Sequence, residues 1–287
     1  MREAVLKPRG PYSLALTARF AGDATRSFHE QTFVAALPVG DGVELASARQ
    51  RPEGTVVVRG PSDEAVERLR WMLALDEDHS EFVERFRDDP LLGRAVVVLR
   101  GLRPLRVATV THALLRALCG QLITSAEARR LERRLIRALS KPVAEGTHLR
   151  PPPSTGTFAR LGAPELRRLG LHARRAATLI RICRSLDLER LHGVPTEAAA
   201  RRLERERGLG PWSAGVVCLE GLGRRERGLV GDLALIKLTS ALRGRWVDAA
   251  ETAGLLEPYD EWAGFASVYL LAGWGRGLLP VPAARAA

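Results

Sequence analysis

Two short stretches limit how this chain can fold: GLGPWSAGVVC, starting at Gly208, and GDLALIKL, starting at Gly231. Gly208 follows a charged helical segment, and glycine at that point suits the left-handed conformation that ends helices. Gly210 is expected to permit a second tight turn, and Pro211 suits the first turn of a new helix, where no N–H group is needed. The stretch therefore predicts a helix, a tight hairpin and a second helix.

A hairpin of this kind leaves backbone N–H groups at the start of its second helix, where they can hold a phosphate without any side chain. It is not a dinucleotide-binding fingerprint, because that pattern needs a glycine where Ser213 stands and a preceding strand. Taken alone, the stretch also fits a simple connection between two helices. Asp232, which opens the next apolar run, by itself fits a helix N-cap.

The charge balance indicates a polyanionic partner. The chain carries 44 Lys and Arg residues against 33 Asp and Glu residues, which gives a net charge of +11 and a pI of about 10.7. A surplus of this size favours nucleic acid over a membrane surface. An arginine-rich genome composition would explain why arginine replaces lysine, but not why cations outnumber acids.

Composition also argues against several other classes of protein. Cys119, Cys183 and Cys218 are too few and too scattered for a disulfide framework or a cysteine metal cluster, so buried thiols are expected. The six histidines are not paired at ligand spacing, so no structural metal is expected. No uncharged apolar run approaches the ~18 residues of a membrane helix, and the first residues do not form a secretion signal. We therefore expect a cytoplasmic protein without a membrane partner.

The first hundred residues have strand-like patterns separated by Gly- and Pro-containing turns. An alternating apolar pattern predicts a half-buried strand at Tyr12–Phe20, and Ser62 is expected to cap a helix. Further strands are predicted at Phe33–Pro38, Val43–Ala48, Thr55–Val58 and Ala95–Leu99. This part, residues 1–103, is predicted to be a small α+β domain.

After Pro104 the pattern changes to one helix after another, with almost no strand. Residues 104–280 are predicted to be a helical domain, and residues 281–287 a frayed tail. The predicted helices are Val110–Leu118, Ser125–Leu139, Pro164–Leu169, Ala173–Leu186, Thr196–Arg205, Ser213–Leu222, Leu233–Leu242, Asp248–Thr252 and Trp262–Ala272.

GLGPWSAG followed by GDLALIKL resembles the helix-hairpin-helix superfamily of DNA glycosylases, whose signature includes an aspartate at a helix start shortly after the hairpin. The stretch ALCGQLITSAEARRL is similar to the family's glycine–glutamine segment before a long helix, and LRRLGLHARRAATLIRI to the helix pair that follows. The N-terminal α+β unit is similar to that of the 3-methyladenine DNA glycosylase II branch. The resemblance covers residues 10–275. It implies an α+β fold: a small N-terminal antiparallel sheet domain with helices, then a mainly helical glycosylase domain whose two subdomains flank a DNA cleft.

The resemblance also implies a function and a site. The chain would act as a monomer on double-stranded DNA and hydrolyse the N-glycosidic bond of alkylated purines, with Asp232 as the catalytic carboxylate. The residues expected to contact DNA are Gln121, Leu122, Gly208, Gly210 and Ser213, with Leu122 as the wedge in the base stack. Trp212 is expected to line the base pocket, and Tyr259 and Trp262 are further aromatic candidates. Leu122 and Trp212 each also fit a core position.

Trp212 stands where bifunctional relatives carry the lysine that forms a Schiff base, and no cysteine follows Cys218 to hold an iron–sulfur cluster. The resemblance therefore implies a monofunctional enzyme without a cofactor, although a monovalent cation on the hairpin carbonyls near Glu206 and Gly208 stays open. The segment Pro258–Trp262 departs from the family's Pro-Trp/Tyr-Arg-Ser run. A glycosylase for deaminated or oxidised bases, and a non-catalytic helix-hairpin-helix DNA-binding protein, therefore remain alternatives.

Overall fold

A computed structural model describes residues 1–19 and 21–281. Five strands form one antiparallel sheet with the order β1-β5-β4-β3-β2. Their bounds are β1 Arg2–Leu6, β2 Arg26–His29, β3 Thr32–Val39, β4 Gly42–Gln50 and β5 Val56–Gly60. The predicted central strands are thus confirmed, and the strands missed from the sequence are β1 and β2 at the two edges of the sheet.

One helix covers a face of this sheet. It is α2 (Asp63–Met72), which Ser62 caps by accepting a hydrogen bond from Ala65 N at 3.2 Å, as predicted. Val66 and Leu69 of α2 are buried against the sheet residues. The sheet and α2 therefore bury apolar side chains together in a small core of their own.

The strand predicted at Tyr12–Phe20 is wrong for the described residues 12–19. The chain forms a short helix, α1 (Leu14–Thr17), which begins when the Ser13 hydroxyl accepts a hydrogen bond from Leu16 N at 3.3 Å. Leu14, Thr17 and Ala18 are buried, so the buried positions follow helical spacing. Short apolar patterns of this kind fit both the helical and the strand periodicity. Here the hydrogen bond to the Ser13 hydroxyl stabilises the start of a helix.

The strand predicted at Ala95–Leu99 is also wrong, because these residues belong to helix α4 (Gly93–Val98) and its end. Asp89 accepts hydrogen bonds from the backbone of Leu91 and Leu92 at 2.9 and 2.6 Å and so turns the chain just before α4. Ala95, Val96 and Leu99 face the core, whereas the two valines between them are exposed. That pattern of burial is helical. It could not be recognised in the sequence, because residues 95–99 are all apolar.

The rest of the chain is helical, as predicted, in the residues that the structure describes. The helices are α3 Ser80–Phe86, α5 Val110–Gly120, α6 Ser125–Leu139, α7 Thr155–Ala159, α8 Ala163–Arg168, α9 Ala173–Ser185, α10 Thr196–Glu204, α11 Pro211–Val216, α12 Leu233–Arg243, α13 Thr252–Leu256 and α14 Ala263–Trp274. A π-turn, Val217–Gly221, continues α11. The helix predicted at Asp248–Thr252 is misplaced, because α13 begins only at Thr252.

Two hydrophobic cores divide the molecule, and they do not follow the predicted boundary at residue 103. The smaller core contains the sheet, α1 and α2, whereas Phe82 of α3 and the buried residues of α4 belong to the large helical core. Phe82 lies 5.0 Å from Phe265 of α14 between ring centroids. Among the described residues no helix is long and apolar enough to cross a membrane. Residues 282–287 of the predicted frayed tail lie outside the described residues.

A group of charged side chains around Arg116 connects the turn before β2 to the helical core. Arg116 of α5 contacts Glu132 of α6 at 3.2 Å and Glu220 of the π-turn at 2.7 Å, and it also reaches Asp23 at 3.4 Å. His112 bonds Glu132 at 2.7 Å. Burial by itself would raise the pKa of the Glu132 carboxyl, but Arg116 and His112 outweigh it and hold that pKa below its usual range.

We expect Arg116→Met to lower the free energy of unfolding by about 3–5 kcal/mol, because it leaves buried carboxylates without their shared cation. Arg201→Met is the matched control: Arg201 and Glu197 form an exposed pair at 3.6 Å, for which a loss below about 1 kcal/mol is expected. Urea unfolding of both variants measures the difference. Equal losses would show that the buried carboxylates do not depend on Arg116.

Candidate active site and nucleic-acid interface

The hairpin between α10 and α11 is built on one obligatory glycine. Gly208 has φ +96°, and a Cβ atom there would lie 2.6 Å from Thr178 Oγ1. Pro211 occupies the first turn of α11, as predicted. Gly210 differs from the prediction of a second tight turn, because its backbone is extended (φ −124°, ψ −174°) and a Cβ there would meet nothing within 4 Å. Only Gly208 is required by conformation.

Side chains from α5 and α9 hold this hairpin in place. Gln121 Nε2 donates to the Gly208 carbonyl at 2.9 Å and to Ser213 Oγ at 3.1 Å. Thr178 Oγ1 donates to the Arg207 carbonyl at 3.2 Å. Ser213 is 2% exposed, so its hydroxyl faces Gln121. The expectation that Ser213 contacts DNA stays a prediction.

The carbonyl groups of the hairpin already accept hydrogen bonds within the protein. The Glu206 carbonyl accepts from Leu209 N at 3.0 Å and the Gly208 carbonyl accepts from Gln121. The Arg207 carbonyl accepts from the Arg181 guanidinium at 2.7 Å. The guanidinium lies at the Arg207 carbonyl, whereas the Glu206 and Gly208 carbonyls each keep a second lone pair. A monovalent cation at Glu206 or Gly208 therefore stays a prediction.

Asp232 is fixed through both carboxylate oxygens. It is the N-cap of α12: Oδ1 accepts from Ala234 N at 2.8 Å and from Leu235 N at 3.3 Å. Oδ2 accepts from the indole N–H of Trp212 at 2.9 Å. Gly231, just before it, has φ +85° and donates its N–H to Thr252 Oγ1 at 2.8 Å. The capping role predicted for Asp232 is present, together with a second hydrogen bond that the sequence did not indicate.

Trp212 connects three separate segments of the chain. Its half-buried indole bonds Asp232 and also packs on Gly120, where a Cβ atom would lie 2.7 Å from the ring. Gly120 ends α5 and is followed by Gln121, which bonds the hairpin. The glycine–glutamine segment, the hairpin and the aspartate are therefore neighbours in space. Sequence reasoning missed the role of Gly120, although its place directly before Gln121 was a usable signal.

Leu122 projects from the turn between α5 and α6. It is 93% exposed and has φ +58°, a conformation that a residue with a bulky side chain rarely adopts. The alternative that Leu122 is a core residue is therefore wrong. The turn is closed by a capping box in which Thr124 and Glu127 bond each other's backbone, so α6 begins at Ser125, three residues after the exposed leucine.

Tyr259 and Trp262 are core residues, contrary to the expectation that they line a pocket. They are 2% and 1% exposed. Tyr259 packs on Phe86, with ring centroids 5.2 Å apart, and Trp262 packs on Phe82 at 5.6 Å. Both face α3, an N-terminal helix whose position against the end of the chain could not be predicted from the local sequence.

A helix-hairpin-helix with a capped aspartate behind it, set in this α+β architecture, defines the class of helix-hairpin-helix DNA glycosylases. The chain resembles members of that superfamily in sequence and in fold. No family model matches the chain. It is 27% identical over 216 residues to the DNA-3-methyladenine glycosylase of Bacillus subtilis, covering 72% of this chain and 71% of that protein.

Solved structures agree with this fold assignment. The 3-methyladenine DNA glycosylase from Archaeoglobus fulgidus superposes with a TM-score of 0.83 and 22% identity, covering 95% of this chain and 98% of that one. The 8-oxoguanine glycosylase/lyase of Clostridium acetobutylicum, in complex with DNA, superposes with a TM-score of 0.76 and 17% identity, covering 96% of this chain and 98% of that one.

The two hairpin glycines should respond differently to substitution. Gly208→Ala puts a side chain into the left-handed region, at about 1–2 kcal/mol, and displaces Thr178 from its hydrogen bond, at about 1 kcal/mol. Gly210→Ala should cost no more than about 1 kcal/mol, since alanine is only a poorer N-cap. Urea unfolding of the two variants measures both losses. Equal effects would contradict the conformational role of Gly208.

Proposed function

We propose that this protein is a DNA glycosylase of base-excision repair that hydrolyses the N-glycosidic bond of alkylated purines of the 3-methyladenine type. The observation that carries the proposal is the Asp232 carboxylate, held on both oxygens beside the hairpin and the exposed Leu122. The similarity to 3-methyladenine glycosylases of Bacillus subtilis and Archaeoglobus fulgidus supports the substrate class.

Excision requires the target base to leave the duplex. The proposed role of Leu122 is to enter the stack where the base was, because an exposed apolar side chain on a rigid turn can fill that gap. The hairpin at Gly208 would hold a neighbouring phosphate through backbone N–H groups. Since the wedge, the hairpin and the carboxylate belong to one chain, we propose that a monomer acts on double-stranded DNA.

The chemistry assigned to Asp232 is electrostatic. Breaking the N-glycosidic bond leaves positive charge on the sugar, an oxocarbenium-like state that a fixed carboxylate stabilises. Each carboxylate oxygen has two lone pairs, so Asp232 can still face the sugar and orient water while it caps α12. The base departs with the bonding electrons, and water then adds to the sugar carbon and loses a proton. An alkylated purine is already cationic and needs no general acid to leave.

Trp212 is the aromatic residue that we propose for the base pocket. Its half-buried ring lies next to the carboxylate, whereas Tyr259 and Trp262 are closed off in the core. An indole face attracts a cationic ring by a cation–π interaction. This interaction favours a cationic alkylated base over a neutral oxidised base. Oxidised bases are the second candidate substrate class, because the fold is also similar to that of an 8-oxoguanine glycosylase/lyase.

Asp232→Asn should slow single-turnover excision of an alkylated base by ~10²–10³-fold or more, because the preorganised charge is removed. Asparagine can still cap α12, but its amide would face the Trp212 N–H. Trp212→Phe is therefore the matched control, since it removes the same hydrogen bond and leaves the charge. It should slow excision less than Asp232→Asn does. Activity of Asp232→Asn within about threefold of wild type, far short of that loss, would show that Asp232 is only a helix cap.

The second expectation is base release without strand cleavage. Trp212 offers no amine for a Schiff base, and the lysines of the chain are Lys7, Lys141 and Lys237. Lesion-containing duplex is incubated with the protein, and half of each sample is then heated in alkali. Nicks should occur only in the heated half. Nicks in the unheated half, with a borohydride-trapped covalent adduct, would overturn the monofunctional mechanism.

A further inference from the structure

Helix α6 (Ser125–Leu139) begins three residues after Leu122 and carries an unusual density of arginine. Its arginines are Arg129, Arg130, Arg133, Arg134 and Arg137. Its two acids do not face the same side: Glu127 bonds Thr124 in the capping box, and Glu132 is buried against His112. Apart from Glu127 in the first turn, which lies near Arg130, the outer side of α6 therefore carries only positive charge.

Four of these arginines form no ion pair with a carboxylate among the described residues. Within residues 1–19 and 21–281, none of the ion pairs involves Arg130, Arg133, Arg134 or Arg137. On helix α10, by contrast, Arg201 and Arg202 are both paired with glutamates. Part of the positive charge of the chain is thus concentrated on α6 in arginines that form none of the described ion pairs.

The α6 arginines also form a concave surface. A surface concavity of about 470 Å³ is lined by Arg130, Arg133, Arg134, Arg137 and Ala138. The buried Nε of Arg133 has no hydrogen-bond partner there. Gly170, at the turn between α8 and α9, borders the surface, since a Cβ on it would lie 3.0 Å from Arg134 Nη1. A site with several guanidiniums and an unsatisfied donor suits an anion with several oxygens.

We propose that this surface, the α6 arginine surface, binds phosphates of duplex DNA on one side of the lesion, beyond the reach of the hairpin. The inference rests on the proposed function, because Leu122 anchors the start of α6 in the base stack. From Thr124 to Arg137 the helix extends about 20 Å at about 1.5 Å per residue. That length corresponds to about six base-pair steps of about 3.4 Å. The proposed phosphate contacts therefore lie on only one side of the lesion along the duplex.

The test compares two variants with the same loss of charge. Arg130→Gln/Arg134→Gln removes two exposed arginines of the surface, and glutamine keeps helix propensity. Arg49→Gln/Arg94→Gln removes two exposed arginines of β4 and α4 that also occur in none of the described ion pairs. Binding is measured to duplexes carrying an uncleavable tetrahydrofuran abasic-site analogue, with three base pairs on one side of it and twelve on the other, and in the reverse arrangement.

We expect wild type and the control variant to bind one arrangement more tightly, and Arg130→Gln/Arg134→Gln to bind both equally. On the preferred duplex the slope of log K against log salt should be shallower by about one to two for the surface variant, since each phosphate contributes about 0.9. Equal binding of both arrangements by wild type, or an unchanged slope in the surface variant, would overturn the inference and leave an acidic protein as the partner to test. Failure of wild type to release an alkylated base would instead overturn the proposed function, since binding to the analogue does not require chemistry.

Discussion

The hydrogen bond from the Trp212 indole to Asp232 Oδ2, at 2.9 Å, is the contact on which the candidate site depends. Oδ1 of Asp232 caps α12, and the indole fixes the other oxygen, Oδ2. The carboxylate therefore cannot rotate without losing a charge-assisted hydrogen bond. The indole reaches this position only because Gly120 has no side chain beneath it. One glycine at the end of α5 thereby controls the geometry of a carboxylate more than a hundred residues later in the chain.

The exposed Leu122 is held on a strained backbone by contacts on both sides. Gln121 before it is bound to the hairpin, and Thr124 after it closes the capping box of α6. Strain of about 1–3 kcal/mol at one residue persists only where the surroundings impose it. The surroundings here are elements of the same candidate site, so Leu122, the hairpin and the carboxylate are positioned relative to one another rather than separately.

Charge is distributed unevenly between the interior and the surface. In the interior, Arg116 joins three carboxylates and links α5 to α6 and to the turn before β2. Glu132 serves this buried group, which removes its negative charge from the outer side of α6. The same helix can therefore stabilise the core through one face and present on the other Arg130, Arg133, Arg134 and Arg137, which form none of the ion pairs of the described residues.

The amino-acid sequence by itself determined the features that depend on local chemistry: the left-handed Gly208, Pro211 at the start of α11, the N-cap at Asp232, the bounds of α6 and the α+β order of elements. Glycine conformations, caps and periodicity act within a few residues, so they can be predicted without knowing the fold. Only the tertiary structure decided that Trp212 meets Asp232, that Leu122 is exposed and that Tyr259 and Trp262 are buried against α3. The local sequence does not indicate what an apolar or aromatic side chain will contact, because its burial depends on which distant element packs against it.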